Sequence, residues 1–449
     1  MGAMSAVLKT RLAGDASWAL LGQLGSGLML LLGTRIVTEL VSPEVYGQVA
    51  LLNGIVALGV CLFAYPYVSA AMRLLPEALD GRERAALSRA SGRLIRRSAA
   101  VALLLLALGG GVYVRRFGAD PWLFAAAGGL FAMTVRREAG VQWLVGQRRH
   151  RAATLWQTGD SLLRPCFAIG LVGLAGPKAP LVLLGYALAS ACVNLIAALV
   201  PDAGGQDGTE PAAGGGKRWR GEILAYALPL IPMEMLAWFG SLGDRYVIGY
   251  LMSAQDVGLY AAAYTLVNEA FHRSATVLLR TFQPVYFKHC SARDRSAAGR
   301  VYAAWLACLV LMGAAGVLAL YFLKDEVCAV LLAEIYRPAA SLMPAIGAGC
   351  ALQALGTLLA QPLYARKKTR VLLLGRLCGA GTALAILPAM VQWRGLMGAA
   401  LAAPAYFGAE ALMLALLAKP WSLGFGKQSR ADGALDVSLP SLLPEGERP

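Results

Sequence analysis

Twelve stretches of this chain are apolar over the length that a bilayer demands, and almost nothing is left between them. They run roughly over 17–41, 45–71, 94–114, 121–146, 152–175, 180–200, 222–248, 255–280, 301–323, 339–364, 371–392 and 395–418. A helix needs about 20 apolar residues to cross the hydrocarbon of a membrane. In that medium every backbone N–H and C=O must be satisfied inside the helix itself or around a closed barrel. The runs are continuous, whereas barrel strands alternate in character over about ten residues. The expected fold class is all-α integral membrane, with twelve transmembrane helices. Composition agrees: 58% of residues are hydrophobic and 15% are charged, against about 25% charged in a soluble domain, and the mean hydropathy is +0.58. The first run is too long for the apolar core of a signal peptide and has no small-residue cleavage site after it, so it is expected to remain as the first helix.

The formal charge of +15 would suit a nucleic-acid partner, but its placement argues against one. Positive residues gather at Arg82–Arg97, Arg148–Arg151, Lys217–Arg220, Lys288–Arg300 and Arg366–Arg370, in every second connection, while the alternate connections are poor in them. That pattern follows from the retention of Lys and Arg on the cytoplasmic side of a membrane. It predicts a multi-pass protein of the bacterial inner membrane with both termini cytoplasmic. Membrane lipids, not nucleic acid, are the partners it implies.

Two stretches, one in each half, repeat a motif. Ser42–Ala50 (SPEVYGQVA) follows a span ending in Thr34-Arg35, and Ser253–Ala261 (SAQDVGLYA) follows one ending in Asp244-Arg245. Downstream, Gln142–Arg151 (QWLVGQRRHR) is echoed by Gln361–Arg370 (QPLYARKKTR). Echoes in one order and at nearly one offset mark an internal duplication. Six helices per half is an even number, so both halves insert alike and are parallel repeats about an axis along the membrane normal. The reading is an N-terminal six-helix lobe (1–200), a Gly/Ala/Pro-rich cytoplasmic linker (201–220), a C-terminal lobe (221–418) and a disordered tail (419–449). The longest external connection, around Lys324–Pro338, is too short for an external catalytic domain. No Cys/His spacing suits zinc, and the eight cysteines stand singly. No cofactor, metal or enzyme activity is expected.

Ionisable residues inside spans cost at least about 2.5–3.5 kcal/mol at mid-bilayer and normally face protein or water. Here they fall in stripes: Glu269, His272, Arg273, Thr276 and Arg280 in the eighth span; Glu234, Trp238, Ser241 and Arg245 in the seventh; Gln157, Asp160, Ser161 and Arg164 in the fifth. Arg35 and Glu39 sit one turn apart in the first span, Arg136-Arg137-Glu138 interrupts the fourth, Arg376 the eleventh and Glu410 the twelfth. Arg35/Glu39, Asp160/Arg164 and Glu269/Arg273 have the spacing of structural ties, and Arg245 and Arg280 lie where they can snorkel to headgroups. Taken together, positive residues outnumber negative ones in the spans, which suits a net cationic, water-filled cavity and an anionic cargo. Pro66, Pro229, Pro232 and Pro284 are candidate hinges.

The segment Asp244–Tyr264 (DRYVIGYLMSAQDVGLYAAAY) resembles the seventh-to-eighth helix signature of bacterial polysaccharide (O-antigen-type) flippases, of the multidrug/oligosaccharidyl-lipid/polysaccharide exporter superfamily. Leu40–Gly47 and the basic turn from Gly146 resemble the equivalent family segments. The resemblance implies two pseudo-symmetric six-helix bundles in a V and translocation of undecaprenyl-diphosphate-linked oligosaccharide through a cationic lumen. A lipid-linked anionic glycan would be the substrate, with a glycan polymerase and glycosyltransferases as possible partners. It places Arg245, and by position Arg35, at the lumen. Arg273, Arg280, Arg164, Arg376, His272 and Trp238 are further substrate-binding candidates, and Glu269, Glu234, Glu39 and Asp160 are ion-coupling candidates. One departure stands out: Glu39 occupies a position where the family often carries a basic residue. Three alternatives stay open: a drug/cation antiporter, a peptidoglycan-precursor flippase, and a non-transporting component of glycan assembly.

The twelve-span topology makes a direct prediction. Reporter fusions at Val41, Gly176 and Leu323 should read external, and fusions in the turns at Arg148 and Lys367 cytoplasmic; a cytoplasmic reading at the first three sites would sink the model.

Overall fold

The computed structural model describes residues 25–147, 149–199, 215–292, 294–366 and 369–418, and all regular structure among them is helical. The N-terminal half comprises α1 (25–40), α2 (Pro43–Phe63), α3 (Tyr65–Leu74), α4 (Gly81–Phe117), α5 (Pro121–Gly146), α6 (His150–Ala175) and α7 (Ala179–Leu199). The C-terminal half follows with α8 (Gly215–Ala227), α9 (Leu230–Leu251), α10 (Ala254–Ser291) and α11 (Arg295–Leu331). A 3-10 segment (Glu334–Leu342), α12 (Met343–Leu359), α13 (Gln361–Ala365) and α14 (Thr369–Ala418) complete it. The expected twelve spans are recovered when α2 with α3, α8 with α9, and the 3-10 segment with α12 and α13 each count as one. α14 counts as two, because Gly395 breaks it at φ 59°, a conformation that side chains with a Cβ resist.

Local chemistry sets the helix ends. Asp80, Asp120 and Asp294 cap α4, α5 and α11 by accepting the N–H of Glu83 (2.6 Å), Trp122 (3.0 Å) and Ala297 (3.0 Å). Left-handed Gly118 ends α4. By length and hydropathy alone, six helices are apolar enough to cross a membrane, or seven if the bent pair α8–α9 is one span. The long helices left out, α5, α6 and α10, are the ones that carry Arg137, Asp160, Arg164, Glu269 and Arg273. Each half has its own apolar core, around Leu130, Phe131 and Leu183 in the first and around Tyr260, Ile346 and Phe407 in the second.

The repeated motif is where the halves meet. Ser42 and Ser253 cap α2 and α10 in the same way. A Cβ built on Gly47 would lie 1.8 Å from the carbonyl oxygen of Ala254, and one on Gly258 would lie 1.8 Å from that of Pro43. Each glycine therefore admits the backbone of the other half, one turn before the partner glycine, and only a hydrogen on Cα lets the helices approach this closely. We call this the motif end of the bundle and the opposite end, which bears Arg82–Arg97 and Lys217–Arg220, the basic end.

Three expectations need correction. The connection around Lys324–Pro338 is not an open loop: α11 continues to Leu331 and the 3-10 segment begins at Glu334. Leu323 thus lies within a helix, because Lys324, Asp325 and Glu326 prolong it into water at no cost to helix formation; the corresponding corner is Leu332–Ala333. Residues 215–220, read as linker, are helical. Finally, α8 belongs to the C-terminal half in sequence but packs on the N-terminal lobe. Trp219, Ile223 and Ala227, spaced by four, are all buried against Ala70, Leu74, Leu87 and Ala90 of α3 and α4. α8 then turns by 43° into α9 at Leu228–Pro229, where Pro229 begins the bend. The start of the first span (17–24), the linker up to residue 214, the tail from 419, Arg148 and Lys367 lie outside the described residues.

The lobe contact sets an expected outcome. Gly47→Ala and Gly258→Ala should each cost on the order of 1–3 kcal/mol by overpacking and lower the thermal unfolding midpoint in detergent. Gly173→Ala, whose Cβ would meet nothing within 4 Å, should leave the midpoint unchanged. Equal behaviour of all three would show that the close approach is not a constraint.

Candidate functional site

α2 packs against α9 and α10 where the lobes meet, and Arg245 of α9 lies partly buried at that contact, near Tyr46 of α2. Its guanidinium lies over the Tyr264 ring at 5.2 Å, its buried Nε has no hydrogen-bond partner, and among the described residues it forms no ion pair. The adjacent Asp244 does not hydrogen-bond the guanidinium, because its buried carboxylate accepts the Tyr260 hydroxyl at 2.6 Å and the Arg245 backbone N–H at 2.8 Å, but its charge still bears on Arg245.

Arg273 of α10 differs. It is paired with Glu269 one turn earlier and donates to Ser26 Oγ of α1 at 3.2 Å. A Cβ on Gly27 would meet its side chain at 2.4 Å, so the first helix is grooved to receive it. Arg245 lies six residues from the end of α9 and Arg273 nineteen from the start of α10, or about 9 Å and about 28 Å from the motif end at 1.5 Å per residue. The two therefore do not form one cluster.

The structure distributes the remaining candidates among different tasks. Arg35 pairs with Glu39 at 2.5 Å and donates to the Leu332 carbonyl. Thr38 Oγ1 accepts the Ala333 N–H at 3.2 Å, and the Tyr336 hydroxyl donates to the Val41 carbonyl at 3.0 Å. Together these latch α1 to the C-terminal lobe at the motif end. Trp238 donates its indole N–H to the Gly54 carbonyl at 2.9 Å, and Tyr246 its hydroxyl to Leu51 at 2.7 Å; both tie α9 to α2. Glu234, half-buried, lies near Tyr65 and Arg376 and has no ion pair among the described residues. Arg376 is paired with Glu410 at 3.0 Å inside the C-terminal lobe. His272 and Thr276 leave the Glu269–Arg273 face and line a small cavity of about 100 Å³ with Asn268, Gln353 and Thr357. Arg280 is exposed.

Asp160 and Arg164 belong to a network within the N-terminal lobe. The Asp160 carboxylate, 1% exposed, is paired with Arg137 of α5 and, at 3.0 Å, with Arg164, and accepts the Ser190 hydroxyl of α7 at 2.5 Å. Arg137 also reaches Glu138 at 2.6 Å. Two positive and two negative groups cancel, and three helices are joined. The triplet Arg136-Arg137-Glu138 is therefore inside its span, with Arg137 turned toward the carboxylate of the next helix.

Comparison with known proteins then locates the chain. A family model described as "Polysaccharide biosynthesis protein" matches residues 12–270, more than half of the chain, and a second model of the same description matches residues 211–341. The chain belongs to the polysaccharide biosynthesis protein family. No curated protein matches it by sequence. Among solved structures it is similar to the inward-facing conformation of a multidrug resistance MATE family transporter of the MOP superfamily, at 15% identity and TM-score 0.68, covering 88% of this chain and 95% of that one. It is similar to the lipid II flippase MurJ in an inward closed conformation, at 12% identity and TM-score 0.66, covering 90% and 87%. An outward-facing conformation of a multidrug resistance MATE family transporter gives 14% identity and TM-score 0.57, covering 91% and 93%. This member of the family thus has the two-lobe MOP fold.

Sequence reasoning missed the partners that come from another helix: Arg137 and Ser190 for Asp160, Ser26 for Arg273, and Leu332 for Arg35. Periodicity within one span cannot show them. Asp160→Asn is expected to be strongly destabilising, about 3–5 kcal/mol as for breaking a buried pair, since it leaves Arg137 and Arg164 short of charge. Glu39→Gln, at a half-exposed pair, should cost about 0–1 kcal/mol. Thermal unfolding of the two variants in detergent checks the contrast, and similar losses would refute the assignment of the buried network as structural.

Proposed function

We propose that this protein flips a lipid-linked anionic oligosaccharide, of the undecaprenyl-diphosphate type, across the bacterial inner membrane. Its membership in the polysaccharide biosynthesis family supports a glycan cargo, and its fold, shared with a lipid II flippase, supports a lipid carrier. The observation that carries the reading is Arg245: a partly buried guanidinium where the lobes meet, in no ion pair among the described residues, whose adjacent acid Asp244 is hydrogen-bonded to Tyr260 instead. The excess of Lys and Arg assigns the basic end to the cytoplasm. The motif end, where Gly47 and Gly258 interlock, is then external and closed. That is an inward-facing arrangement, in keeping with the higher TM-score to the inward-facing transporter.

In this mechanism the diphosphate and sugars enter from the cytoplasmic side while the polyprenyl tail stays in lipid. Arg280 and Arg273 meet the head first, and Arg245 holds it deeper, near the external seal. Outward opening requires the Gly47–Gly258 contact and the Arg35–Leu332 latch to part, with the bend at Pro229 taking up the motion. Of the four coupling carboxylates considered, Glu39, Asp160 and Glu269 are engaged in ion pairs. Glu234 is the one left to exchange a proton or Na⁺.

The test is export of lipid-linked glycan in cells or proteoliposomes. Arg245→Ala should reduce it tenfold or more, the order expected for a lost charge-assisted contact of about 1.5–3 kcal/mol. Membrane insertion should stay normal, and stability should fall by no more than the cation–π contact with Tyr264 contributes, about 0.5–2 kcal/mol. Arg245→Lys should restore only part, keeping charge but losing the planar fork. Glu269→Gln should chiefly lower stability. Normal export by Arg245→Ala would end the cationic-path mechanism and favour the antiporter reading.

A further inference from the structure

A second cationic site lies apart from Arg245, at the basic end. Four cations, Arg93 and Arg97 of α4 and Lys217 and Arg220 of α8, wall a cavity of about 430 Å³ whose floor is made by the small residues Ala90 and Gly216. Among the described residues no carboxylate lines it, and none of the four forms an ion pair. The contrast with their neighbour is informative. Arg218, on the same helix, is paired with Glu222 at 2.9 Å and lies 3.9 Å from Glu83, so acids are present on these helices and are turned away from the cavity. Like charges brought together without counter-charge repel, and an arrangement of this kind is stabilised by an anion.

The depth of the cavity identifies the kind of anion. Arg97 and Arg115 of α4 are eighteen residues apart, about 27 Å at 1.5 Å per residue, close to the hydrocarbon thickness of about 30 Å. The residues between them carry no charge. Arg97 therefore stands at one headgroup boundary, with Arg93 one turn further into the aqueous layer and Leu94 giving the cavity an apolar edge. The volume exceeds tenfold the ~30 Å³ share of one water, enough for a headgroup and not only a bare ion. A retention signal explains why cations are numerous at this end; it does not explain a cavity walled by two helices from different halves of the chain.

We propose that this cavity binds the phosphate of a membrane lipid in the cytoplasmic leaflet, as a phosphodiester or a diphosphate carried on a hydrocarbon tail. The occupant would join α4 to α8, holding the first helix of the C-terminal half on the N-terminal lobe beside the Pro229 bend. The orientation is that of the functional reading above, but the site is independent of Arg245 and of the cargo's sugars.

The experiment uses the full-length protein and native mass spectrometry to measure binding of four probes: dioctanoyl phosphatidylglycerol, dioctanoyl phosphatidylcholine, farnesyl diphosphate and inorganic diphosphate. An anionic lipid probe should bind at least tenfold more tightly than phosphatidylcholine. Arg93→Gln with Lys217→Gln should lower that affinity tenfold or more, Arg93→Lys with Lys217→Arg should keep most of it, and Arg218→Gln should leave it unchanged. Preference for phosphatidylglycerol assigns the site to bilayer phospholipid, and preference for farnesyl diphosphate assigns it to an isoprenoid carrier; either supports the proposal. Equal binding of phosphatidylcholine, or undiminished binding after all four cations are changed to Gln, overturns it. Inorganic diphosphate binding as tightly as the lipids also overturns it, since the site would then serve a soluble anion. Arg245→Ala should leave lipid binding intact, so the outcome here and that of the export assay are separable.

Discussion

The reciprocal contact of Gly47 with Ala254 and of Gly258 with Pro43 fixes how the two lobes stand, and the other inter-lobe interactions depend on it. Where lipid surrounds a protein there is no water to drive helices together, so association rests on close packing and on hydrogen bonds. Two glycines permit backbone-to-carbonyl distances that a methyl group on either would forbid. Once the helices lie this close, Tyr246, Trp238 and Tyr336 can each reach a carbonyl of the opposite lobe. The duplication makes the contact possible: one motif, presented twice, meets its own copy about a pseudo-two-fold axis. A surface that must both seal and part is well served by this chemistry, because it joins by shape and single hydrogen bonds and buries no ion pair.

The ionisable residues of the spans divide by partner. Asp160, Arg137, Arg164 and Glu138, with Ser190, join three helices of one lobe and cancel in charge; Arg376 and Glu410 cancel in the other. Such pairs meet the cost of burial only when each charge has its counterpart. Arg245 breaks the rule. Its adjacent acid is engaged by Tyr260, and an aromatic face is what it has instead. Cation–π contact with Tyr264 stabilises the charge by about 0.5–2 kcal/mol.

α8 shows how a connection becomes part of a mechanism. Its apolar stripe docks on α3 and α4, while the span it leads into, α9, packs against α2 and α14. The polypeptide therefore crosses between lobes at the basic end, and the 43° bend before α9 is the place where relative motion of the lobes would be absorbed.

The sequence by itself determined that the chain is helical, membrane-spanning and duplicated, because apolar length, the alternation of basic connections and the repeated motif are each written along a single strand of text. It also marked Arg245, through the motif that surrounds it. What it could not determine was which charges are spent on structure. Within one helix Glu269, His272, Arg273 and Thr276 share an arc, yet two of them face α1 and two face a cavity among α10, α11 and α12. An arc of that width is broad enough to touch two neighbours at once, and only the packing of the other helices decides which side chain meets which. The same holds for Asp160, whose visible partner was Arg164, while Arg137 and Ser190 come from other helices. Periodicity reports the direction of a side chain about its own axis; the counter-charge that neutralises it, or fails to, is supplied by residues far away in sequence, and only the tertiary structure brings them within reach.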